Sequence, residues 1–491
     1  MGARVLRPRS HPVRVAADEV LEIGRMRKMK ILLITPCIEK YLLKPGEKSK
    51  EVKLFRFSML SVLTVAACTP REHEVKIVDE HIEAVDFDDD ADVVGISFMT
   101  AHAPRAYQLG EEFRKRGKTV VFGGFHPTFM TAEALEHCDA VVMGEAENTW
   151  PQVLRDIENH RLQRVYQSRR PVDLGTLQVV PRHLLSKNGY ITINAVQVSR
   201  GCKNACEFCS VSPFYGKKQR FRPIDRVVEE LQNIPGKFVL FIDDNITGDS
   251  SYAKKLFRAM IPLRKKWISQ ASLKISDDEE LVKLAARSGC CGLFVGLESI
   301  NTRSLEEVEK GFNRTERYGE SIKKLQDAGI GIETGLIFGF DHDELPVFER
   351  TLDFLLKHNI DAIQVSALTP LPGTRLYEKM VREKRIIDYR WEHYDYRHVV
   401  FQPRNMTPEQ LQNGVDWIIG EFYSGRNIAR RVFTNFSKPN LFRNLFLTLP
   451  INIGYHLDAR RWGIRGELPT GGRRSAELCS PPARGIPLLR T

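Results

Sequence analysis

Three cysteines lie within eight residues of one another in the sequence SRGCKNACEFCS, at Cys202, Cys206 and Cys209. Thiolates bind zinc, but a structural zinc site needs four ligands in a closed tetrahedron. Two further cysteines, Cys290 and Cys291, lie in the sequence GCCGLF, where small residues at the start of a strand favour simple packing. Three thiolates can instead hold an iron–sulfur cluster and leave one iron open to another ligand. Zinc binding remains the alternative for the trio.

The composition is that of a globular protein with more than one domain: 491 residues, 42% hydrophobic and 27% charged. Nine cysteines, odd in number and unevenly spaced, favour free thiols in a reducing compartment over a disulfide framework. Of the net charge of +11, residues 1–30 carry +5 and residues 464–491 carry +3. The body is therefore not expected to bind nucleic acid. The sequence predicts neither a secretory signal nor a membrane-spanning segment.

The first half of the chain alternates apolar strands with helical patterns, which predicts a parallel sheet with helices on both faces. The predicted strands are Ile31–Thr35, Val75–Val78, Val93–Ser97, Val120–Gly123 and Ala140–Met143, with helices at Ala103–Arg116 and Glu147–His160. Such sheets bind ligands at the carboxyl ends of their strands. Two of those ends carry candidate contact sequences, SFMT at Ser97–Thr100 and GGFHPT at Gly123–Thr128. Paired glycines also occur in plain tight turns, which is the alternative for GGFHPT.

A second alternation of strands and helices follows a polar connector near Ser168–Lys187. The predicted strands are Thr192–Val198, Phe238–Asp243, Ser272–Ile275, Leu293–Leu297, Ile332–Phe338 and Ala362–Ala367. The predicted helices are Asp225–Asn233, Ser251–Leu263, Asp278–Arg287, Glu316–Ala328 and Leu345–His358. Because a full barrel of this type has eight strand–helix units, these six predict a partial barrel with a lateral opening. The cysteine sequence begins where the first strand ends, and that end of such barrels carries the catalytic groups.

The spacing C-x3-C-x2-C, with Phe208 before the last cysteine, resembles the signature of radical S-adenosylmethionine (SAM) enzymes. In that family three cysteines hold a [4Fe-4S] cluster, SAM binds the open iron, and an electron donor such as flavodoxin or ferredoxin drives its cleavage to a 5′-deoxyadenosyl radical. The resemblance assigns the cluster to the trio and implies SAM contacts by Phe208, Asp243, Asp244, Asn245, Gly296 and Glu298. Core packing is the alternative for Phe208, and a surface salt bridge is the alternative for Glu298.

The order of the two halves, with GGFHPT and VMGEAE in the first, resembles the cobalamin-binding branch of this family over residues 29–460. It implies an N-terminal Rossmann-like cobalamin-binding domain. The implied cobalamin contacts are Ser97, Thr100, Gly123, Gly124, His126, Thr128, Gly144 and Glu145. A cobalt-ligating D-x-H-x-x-G motif does not follow the first strand, which is usual in this branch. A near match, DEHIEA at Asp79–Ala84, predicts a helix start with an acidic first turn, and cobalt ligation by His81 is its alternative.

The resemblance implies methylation of an unactivated carbon of a small-molecule or lipid substrate. The radical removes a hydrogen atom, methylcobalamin delivers the methyl group, and a second SAM remethylates cobalt. Some members of the branch instead cyclise, rearrange or oxidise their substrates without methyl transfer, which is the alternative. A non-catalytic cobalamin carrier or sensor is the alternative of another class, and the cysteine trio argues against it. Methylthiolation is disfavoured because the sequence has no second cysteine trio.

These patterns predict six segments: a disordered leader at 1–28, the cobalamin-binding domain at 29–165, a linker at 166–187, the partial barrel at 188–400, a helical C-terminal region at 401–463 and a disordered tail at 464–491. We expect a cytoplasmic monomer. The sequence Asn440–Leu457 is apolar but interrupted by Arg443 and Pro450. It predicts a helical cap over the barrel, and peripheral membrane contact is the alternative, since the arrangement resembles that of hopanoid methylases.

Overall fold

The computed structural model describes residues 28–38, 41–43, 57–186, 189–436, 448–461, 464 and 468–469. Residues 1–27 of the predicted leader, most of the predicted tail and residues 440–447 of the apolar C-terminal sequence lie outside the described residues. The predicted segment boundaries stay predictions.

The first half of the chain forms a parallel sheet whose strands occur in the order β2–β1–β3–β4–β5–β6. The strands are Lys30–Thr35 (β1), Glu74–Asp79 (β2), Val93–Ser97 (β3), Thr119–Gly123 (β4), Ala140–Met143 (β5) and Val165–Gln167 (β6). Alternate residues of β1 enter different cores, Ile31 and Leu33 on one face and Leu32 and Ile34 on the other. A strand buried on both faces must therefore be apolar throughout, and this is why the sequence shows it as a continuous apolar run.

Helices cover both faces of this sheet, which confirms the predicted doubly wound arrangement. The helices are Leu60–Cys68 (α1), Ala103–Lys115 (α2), Phe125–Phe129 (α3), Thr131–Ala134 (α4) and Trp150–Glu158 (α5). The apolar residues of α1 and α5 pack on one face, and those of α2 pack on the other. The carboxyl ends of the strands are left uncovered by these helices, so this edge is available for a ligand.

The second half forms another six-stranded parallel sheet, in the order β14–β13–β12–β11–β10–β7, so that β7 and β14 are its edges. Its strands are Ala195–Val196 (β7), Phe238–Phe241 (β10), Lys266–Ala271 (β11), Cys290–Glu298 (β12), Gly331–Phe338 (β13) and Ala362–Ala367 (β14). Two short strands, Ser199–Arg200 (β8) and Arg220–Phe221 (β9), pair antiparallel beside it. Sequential parallel strands that do not close a ring confirm the predicted partial barrel.

Helices alternate with the barrel strands. They are Val211–Tyr215 (α6), Ile224–Asn233 (α7), Ser250–Met260 (α8), Glu279–Arg287 (α9), Thr302–Glu307 (α10), Tyr318–Asp327 (α11), Val347–Lys357 (α12) and Arg375–Arg382 (α13). The apolar sides of α7 to α13 join the barrel strands in one core.

Two predicted barrel strands are placed differently in the structure. The third strand is Lys266–Ala271, and the predicted strand at Ser272–Ile275 is wrong because Leu273–Asp277 forms a 3-10 helix. The first predicted strand, Thr192–Val198, shortens to Ala195–Val196. In Lys266–Ala271 exposed residues alternate with buried ones, so the apolar run in the sequence does not coincide with the strand.

The C-terminal region is helical, as predicted, with helices at Pro408–Phe422 (α14), Gly425–Phe436 (α15) and Leu449–Arg461 (α16). Helix α14 begins with a capping box, in which the Gln410 amide donates to the Thr407 hydroxyl and the Thr407 amide donates to the Gln410 side chain. Helix α14 packs on α12 and β14, so it covers the outside of the barrel. Within the described ranges, we find no helix with the length and apolar character needed to cross a bilayer.

Candidate functional site

The cysteine trio lies on the loop between β8 and α6, where Cys202, Cys206 and Cys209 are half-buried free thiols. Burial raises the pKa of all three thiols, and that of Cys209 to about 12. Bound metal would offset this desolvation by stabilising the thiolates. The described residues contain no group of three or more His, Cys, Asp or Glu side chains that could hold a metal ion. Three thiolates are one short of the four ligands of a structural zinc site, and they are the number that leaves one iron of a cluster open.

Hydrogen bonds from three other segments fix the cysteine loop. The Ser212 hydroxyl donates to the carbonyl oxygens of Cys202 (3.1 Å) and Asn204 (2.8 Å). The Glu207 amide donates to the Val308 carbonyl, and the Leu376 amide donates to the Glu207 carbonyl, both at 3.1 Å. The loop is thus joined to the residue after α10 and to the first turn of α13. This arrangement holds the thiols in place before any cluster binds.

A buried ion pair lies beside the cysteine loop. Glu298, at the end of β12, pairs with Lys310, and both side chains are only 12% exposed. Glu298 has a positive φ of 64°, a strained conformation for a residue with a side chain. The Lys310 ammonium also lies 6.0 Å from the centroid of the Phe208 ring, which is partly buried against the barrel core. Glu298 therefore forms a salt bridge, as the alternative expected, but the Glu298–Lys310 pair is buried beside the cysteine loop and not exposed at the surface.

The three polar residues after β10 have different environments. Asp243 is completely buried and accepts hydrogen bonds from the Val198 amide (3.1 Å) and the Ser199 hydroxyl (2.7 Å). The Asn245 side-chain oxygen accepts from the Thr247 and Ser272 amides. These contacts hold the ends of neighbouring strands, and SAM contacts by Asp243 and Asn245 stay predictions.

Asp244 is the member of this group that stays available to a ligand. Its Oδ2 atom is enclosed and has no hydrogen-bond partner among the described residues. Desolvation raises its pKa to about 6. A buried carboxylate oxygen without a partner is costly, so a contact between Asp244 and SAM remains our proposal.

A cavity of about 260 Å³ lies at the carboxyl ends of β1, β3, β4 and β5. Its walls are mostly apolar and come from both halves of the chain. The strand and loop residues that line it include Leu33, Ile96, Ser97, Phe98, Met99, Val121, Phe122, Gly123, Gly124, Gly144 and Glu145, and the barrel contributes Gln197, Arg200, Phe214, Tyr215 and Ile242. An apolar cavity with few polar groups is typical of a ligand or cofactor site.

Five of the eight predicted cobalamin contacts line this cavity, namely Ser97, Gly123, Gly124, Gly144 and Glu145. Thr100, His126 and Thr128 do not. His126 is completely buried on the other side of the loop, where its Nε2 atom lies 2.9 Å from the Tyr107 hydroxyl. The Thr128 hydroxyl accepts a hydrogen bond from the Gly144 amide and donates to the Gly124 carbonyl. His126 and Thr128 therefore support the cavity loops from behind.

The cavity loops need glycine for two different reasons. Gly124 has a φ of 100°, and a Cβ atom there would lie 2.7 Å from the Phe98 carbonyl oxygen. A larger residue at position 124 would therefore displace the loop that follows β3. Gly144 also has a positive φ, of 72°, but a Cβ atom there would meet open space. The space beside Gly144 is therefore available to a bound molecule, and the mostly apolar walls of the cavity suit a ligand held by apolar contacts.

Gly144→Leu is expected to weaken cobalamin binding without preventing folding, because the new side chain would occupy the cavity. Overpacking costs about 1–3 kcal/mol, which corresponds to roughly ten- to a hundredfold weaker binding. Titration of the anaerobic protein with cobalamin, followed by absorbance, measures the affinity. Gly117→Leu is the matched control, since Gly117 has a φ of 73°, equally open surroundings and no place in the cavity. Equal loss of affinity in both variants would contradict the assignment of the cavity.

A buried cluster of charges joins the two halves of the chain at the cavity. The Arg200 guanidinium forms ion pairs with Glu145 (2.8 Å) and Glu147 (2.5 Å), and Arg220 also pairs with Glu145 (3.0 Å). The Arg200 guanidinium carbon lies 5.8 Å from the centroid of the Tyr215 ring. Because Arg200 precedes the cysteine loop and both glutamates follow β5, these ion pairs fix the loop relative to the cavity.

Residues on both sides of the cysteine loop line the cavity. Arg200 lines the wall before the first cysteine, and Phe214 and Tyr215 of α6 line it after the last. The Phe214 ring stacks on Phe125 of α3, with centroids 4.2 Å apart. The predicted cluster site and the predicted cobalamin site are thus adjacent, which the sequence alone could not establish.

Sequence reasoning also missed cavity residues that lie outside recognisable motifs. His102 lines the cavity, whereas His81 does not. The His81 Nδ1 atom lies 2.9 Å from Asp79 Oδ1, and Asp79 also accepts from the Tyr190 hydroxyl. His81 is held by this hydrogen bond and lies outside the cavity, which argues against the alternative of cobalt ligation. The signal that could have identified His102 is its position in the sequence, three residues after the SFM sequence at the end of β3.

Two family models match the chain. The model of the radical SAM superfamily matches residues 196–355, and that of the B12 binding domain matches residues 56–154. The bacteriochlorophyllide d C-12(1)-methyltransferase of Chlorobaculum tepidum is 32% identical over 386 residues, which is 76% of this chain and 84% of the relative. The hopanoid C-2 methylase of Rhodopseudomonas palustris is 26% identical over 442 residues, 83% of this chain and 80% of the relative.

Solved structures share the fold. The cobalamin-dependent SAM radical enzyme OxsB, with aqua-cobalamin and SAM bound, has a TM-score of 0.65 at 14% identity, over 89% of this chain and 72% of that one. The radical SAM methyltransferase TsrM from Kitasatospora setae, with cobalamin and a [4Fe-4S] cluster bound, has a TM-score of 0.57 at 16% identity, over 73% of this chain and 78% of that one. The arrangement of a cobalamin-binding domain before a radical SAM barrel is therefore the same in all three.

Proposed function

Since the chain belongs to the cobalamin-dependent radical SAM methyltransferases, we propose that it methylates an unactivated carbon of a large, apolar small molecule or lipid. Its cofactors are a [4Fe-4S] cluster, SAM and cobalamin. The observation that carries the proposal is the adjacency of the two sites, since the cysteine loop begins and ends in the wall of the cavity. A substrate between them would be within reach of both.

The chain's own residues hold and orient the reacting groups. When bound, the cluster and SAM supply the one-electron chemistry that removes a hydrogen atom, and cobalamin supplies the methyl group. We assign Cys202, Cys206 and Cys209 to the cluster, and Asp244 and Glu298 to SAM. The apolar walls of the cavity exclude water, which would otherwise compete with the substrate for reactive groups.

Exposed apolar side chains beside the site support an apolar substrate. Met99, in the cavity wall, is 41% exposed, and Tyr396, close to the Cys209 thiol, is 40% exposed. Tyr396 also has a positive φ of 67°. An exposed apolar side chain in a cavity wall offers contact surface to an apolar ligand. Because relatives act on a bacteriochlorophyllide and on a hopanoid, tetrapyrroles and polycyclic lipids are the substrates to test first.

Radical SAM enzymes need an electron donor, and we propose a flavodoxin or ferredoxin for this chain. We further propose a cytoplasmic monomer that does not bind nucleic acid.

Exposed Ile453 and Leu457 on α16 support peripheral contact with a membrane that supplies the substrate.

The test is anaerobic reconstitution with iron, sulfide, cobalamin, SAM and a reductant, followed by assay with a tetrapyrrole or hopanoid substrate. Methylation predicts that 5′-deoxyadenosine and S-adenosylhomocysteine form in equal amounts, because two SAM molecules are consumed per methyl transferred. SAM labelled with deuterium in its methyl group should give a labelled product. If 5′-deoxyadenosine forms without S-adenosylhomocysteine, the reaction is a rearrangement or oxidation and not a methylation. If neither product forms with any substrate, a non-catalytic cobalamin carrier is favoured.

A further inference from the structure

One loop, which comes after α13 in the chain, contacts the regions of both predicted sites. The loop Asp388–His398, which we call the bridging loop, contains the 3-10 turn Trp391–His393. This turn packs on the 3-10 turn Thr100–His102, whose last residue lines the cavity. The Trp391 indole also donates a hydrogen bond to the Glu133 carboxylate at 2.7 Å. The first part of the bridging loop is therefore fixed beside the cavity.

The second part of the bridging loop reaches the cysteine trio. The Ala367 amide, at the carboxyl end of β14, donates to the Tyr396 carbonyl at 2.8 Å. Burial, and after it the nearby Cys209 thiol, raises the pKa of the Tyr396 hydroxyl to about 12, although Tyr396 is 40% exposed. A hydroxyl that is surrounded by protein, on a residue that still contacts water, indicates a position in a cleft. Tyr396 therefore lines a cleft at the end of the barrel that carries the cysteine loop.

The Tyr396 side chain is not engaged by the protein around it. Among the described residues its hydroxyl makes no hydrogen bond, and its ring contacts no other aromatic ring. The neighbouring Tyr394 differs, because it is buried and its hydroxyl donates to the Asp388 carbonyl at 3.0 Å. Tyr394 thus holds the bridging loop together, whereas the phenol of Tyr396 is left to contact a ligand.

The backbone of Tyr396 is strained. Its φ of 67° is uncommon for a residue with a bulky side chain and costs stability. The Asp395 side chain holds this conformation by accepting hydrogen bonds from the amides of Arg397 (3.0 Å) and His398 (3.1 Å). Glycine would adopt the same conformation without strain. A tyrosine that is strained, exposed and without a polar contact contributes little to folding, so its presence indicates another role.

We propose that Tyr396 binds the substrate, with its ring packed against one face of a flat, polycyclic molecule that lies between the cluster site and the cavity. A molecule on Tyr396 would lie next to both sites, because the bridging loop places this residue near Cys209 and packs its own first part on the cavity wall. Exposed Met99 offers a second apolar contact from that wall. An aromatic ring suits this role, since it offers a large apolar surface that stacks on flat rings. This role rests on the proposed function, so binding and turnover must be measured separately.

Equilibrium dialysis of the anaerobic holoenzyme, loaded with cluster, cobalamin and SAM but without reductant, measures substrate binding in the absence of turnover. The probes are bacteriochlorophyllide d and a hopanoid, the compounds in the names of two relatives. Tyr396→Gly should bind the preferred probe roughly ten- to a hundredfold more weakly, because it removes an aromatic contact. Tyr396→Phe keeps the ring and should bind the probe as the wild type does.

Two further variants separate the contact of the ring from the conformation of the backbone. Tyr396→Asn removes the ring but tolerates a positive φ, and it should weaken binding as much as Tyr396→Gly does. Lys384→Gly is the matched control, because Lys384 is exposed, has a φ of 55° and directly follows α13 and its C-cap. This control should bind the probe as the wild type does. Iron and cobalamin content should match those of the wild type in all four variants.

Wild-type affinity in Tyr396→Gly or Tyr396→Asn would overturn the role of Tyr396, as would a loss of affinity in Tyr396→Phe or Lys384→Gly as large as in Tyr396→Gly. Loss of the cluster or of cobalamin in both Tyr396→Gly and Tyr396→Asn would also overturn it, since the ring would then support the fold. A wild type that binds neither probe would refute this role together with the proposed substrate class. A wild type that binds a probe without methylating it would contradict methyl transfer alone.

Discussion

Replacing any one of Cys202, Cys206 and Cys209 with alanine is expected to abolish formation of 5′-deoxyadenosine. Three thiolates hold the cluster, and its fourth iron must stay open for SAM, so loss of one thiolate leaves too few protein ligands. The loop itself should stay folded, because it is fixed through main-chain carbonyls and amides. Cluster absorbance, iron content and deoxyadenosine released per protein measure the effect after anaerobic reconstitution.

Cys290→Ala and Cys138→Ala are the matched controls for the cysteine variants. Both thiols are buried, Cys290 on β12 and Cys138 after α4, where the Cys138 thiol donates to the Ala134 carbonyl at 3.2 Å. Both should keep the cluster and SAM cleavage. If Cys290→Ala lost the cluster as fully as Cys206→Ala, the ligands would have been assigned wrongly. Full cluster content in the alanine variant of Cys202, Cys206 or Cys209 would also show that the ligands had been assigned wrongly.

The fold was largely predictable because its strands are buried on both faces. Such strands must be apolar at consecutive positions, and Val93–Ser97, which is buried at four of its five positions, has the predicted bounds. The sequence KWISQA of β11 failed this criterion, since Lys266 and Gln270 are exposed between buried neighbours. A short strand in which exposed and buried residues alternate is identified only from its pairing with neighbouring strands. The sequence therefore predicted the strand at Ser272–Ile275, just after β11.

The site was predictable in position but less so in the direction of its side chains. Residues after β3, β4 and β10 lie at the expected strand ends. However, Asp243 faces the amides of Val198 and Ser199, and His126 faces Tyr107. Which way a side chain points at a strand end depends on partners that are distant in sequence. Pairs such as Arg200 and Glu147, 53 positions apart, become neighbours only through the fold.

Arg200→Met is expected to destabilise the protein more than any other single change at the junction of its two halves. The ion pairs of Arg200 are almost fully buried, and removing the guanidinium leaves Glu147 without the cation that it faces. Breaking a buried ion pair by removing one partner costs about 3–5 kcal/mol. Glu145 should suffer less, because Arg220 still pairs with it. Urea titration of the apoprotein measures the free energy of unfolding, and cobalamin and iron content measure the effect on both sites.

The double variant Arg200→Met, Glu147→Gln distinguishes a buried charge from lost packing. If the unpaired Glu147 carboxylate causes most of the destabilisation, neutralising it should return part of the lost stability, so that the double variant is more stable than Arg200→Met. Arg226→Met is the exposed control: its side chain is 62% exposed and pairs at 3.2 Å with Glu229, which is 58% exposed, and exposed pairs contribute under about 1 kcal/mol. A double variant that is less stable than Arg200→Met would show instead that packing of the arginine side chain, and not its charge, joins the cysteine loop to the cavity.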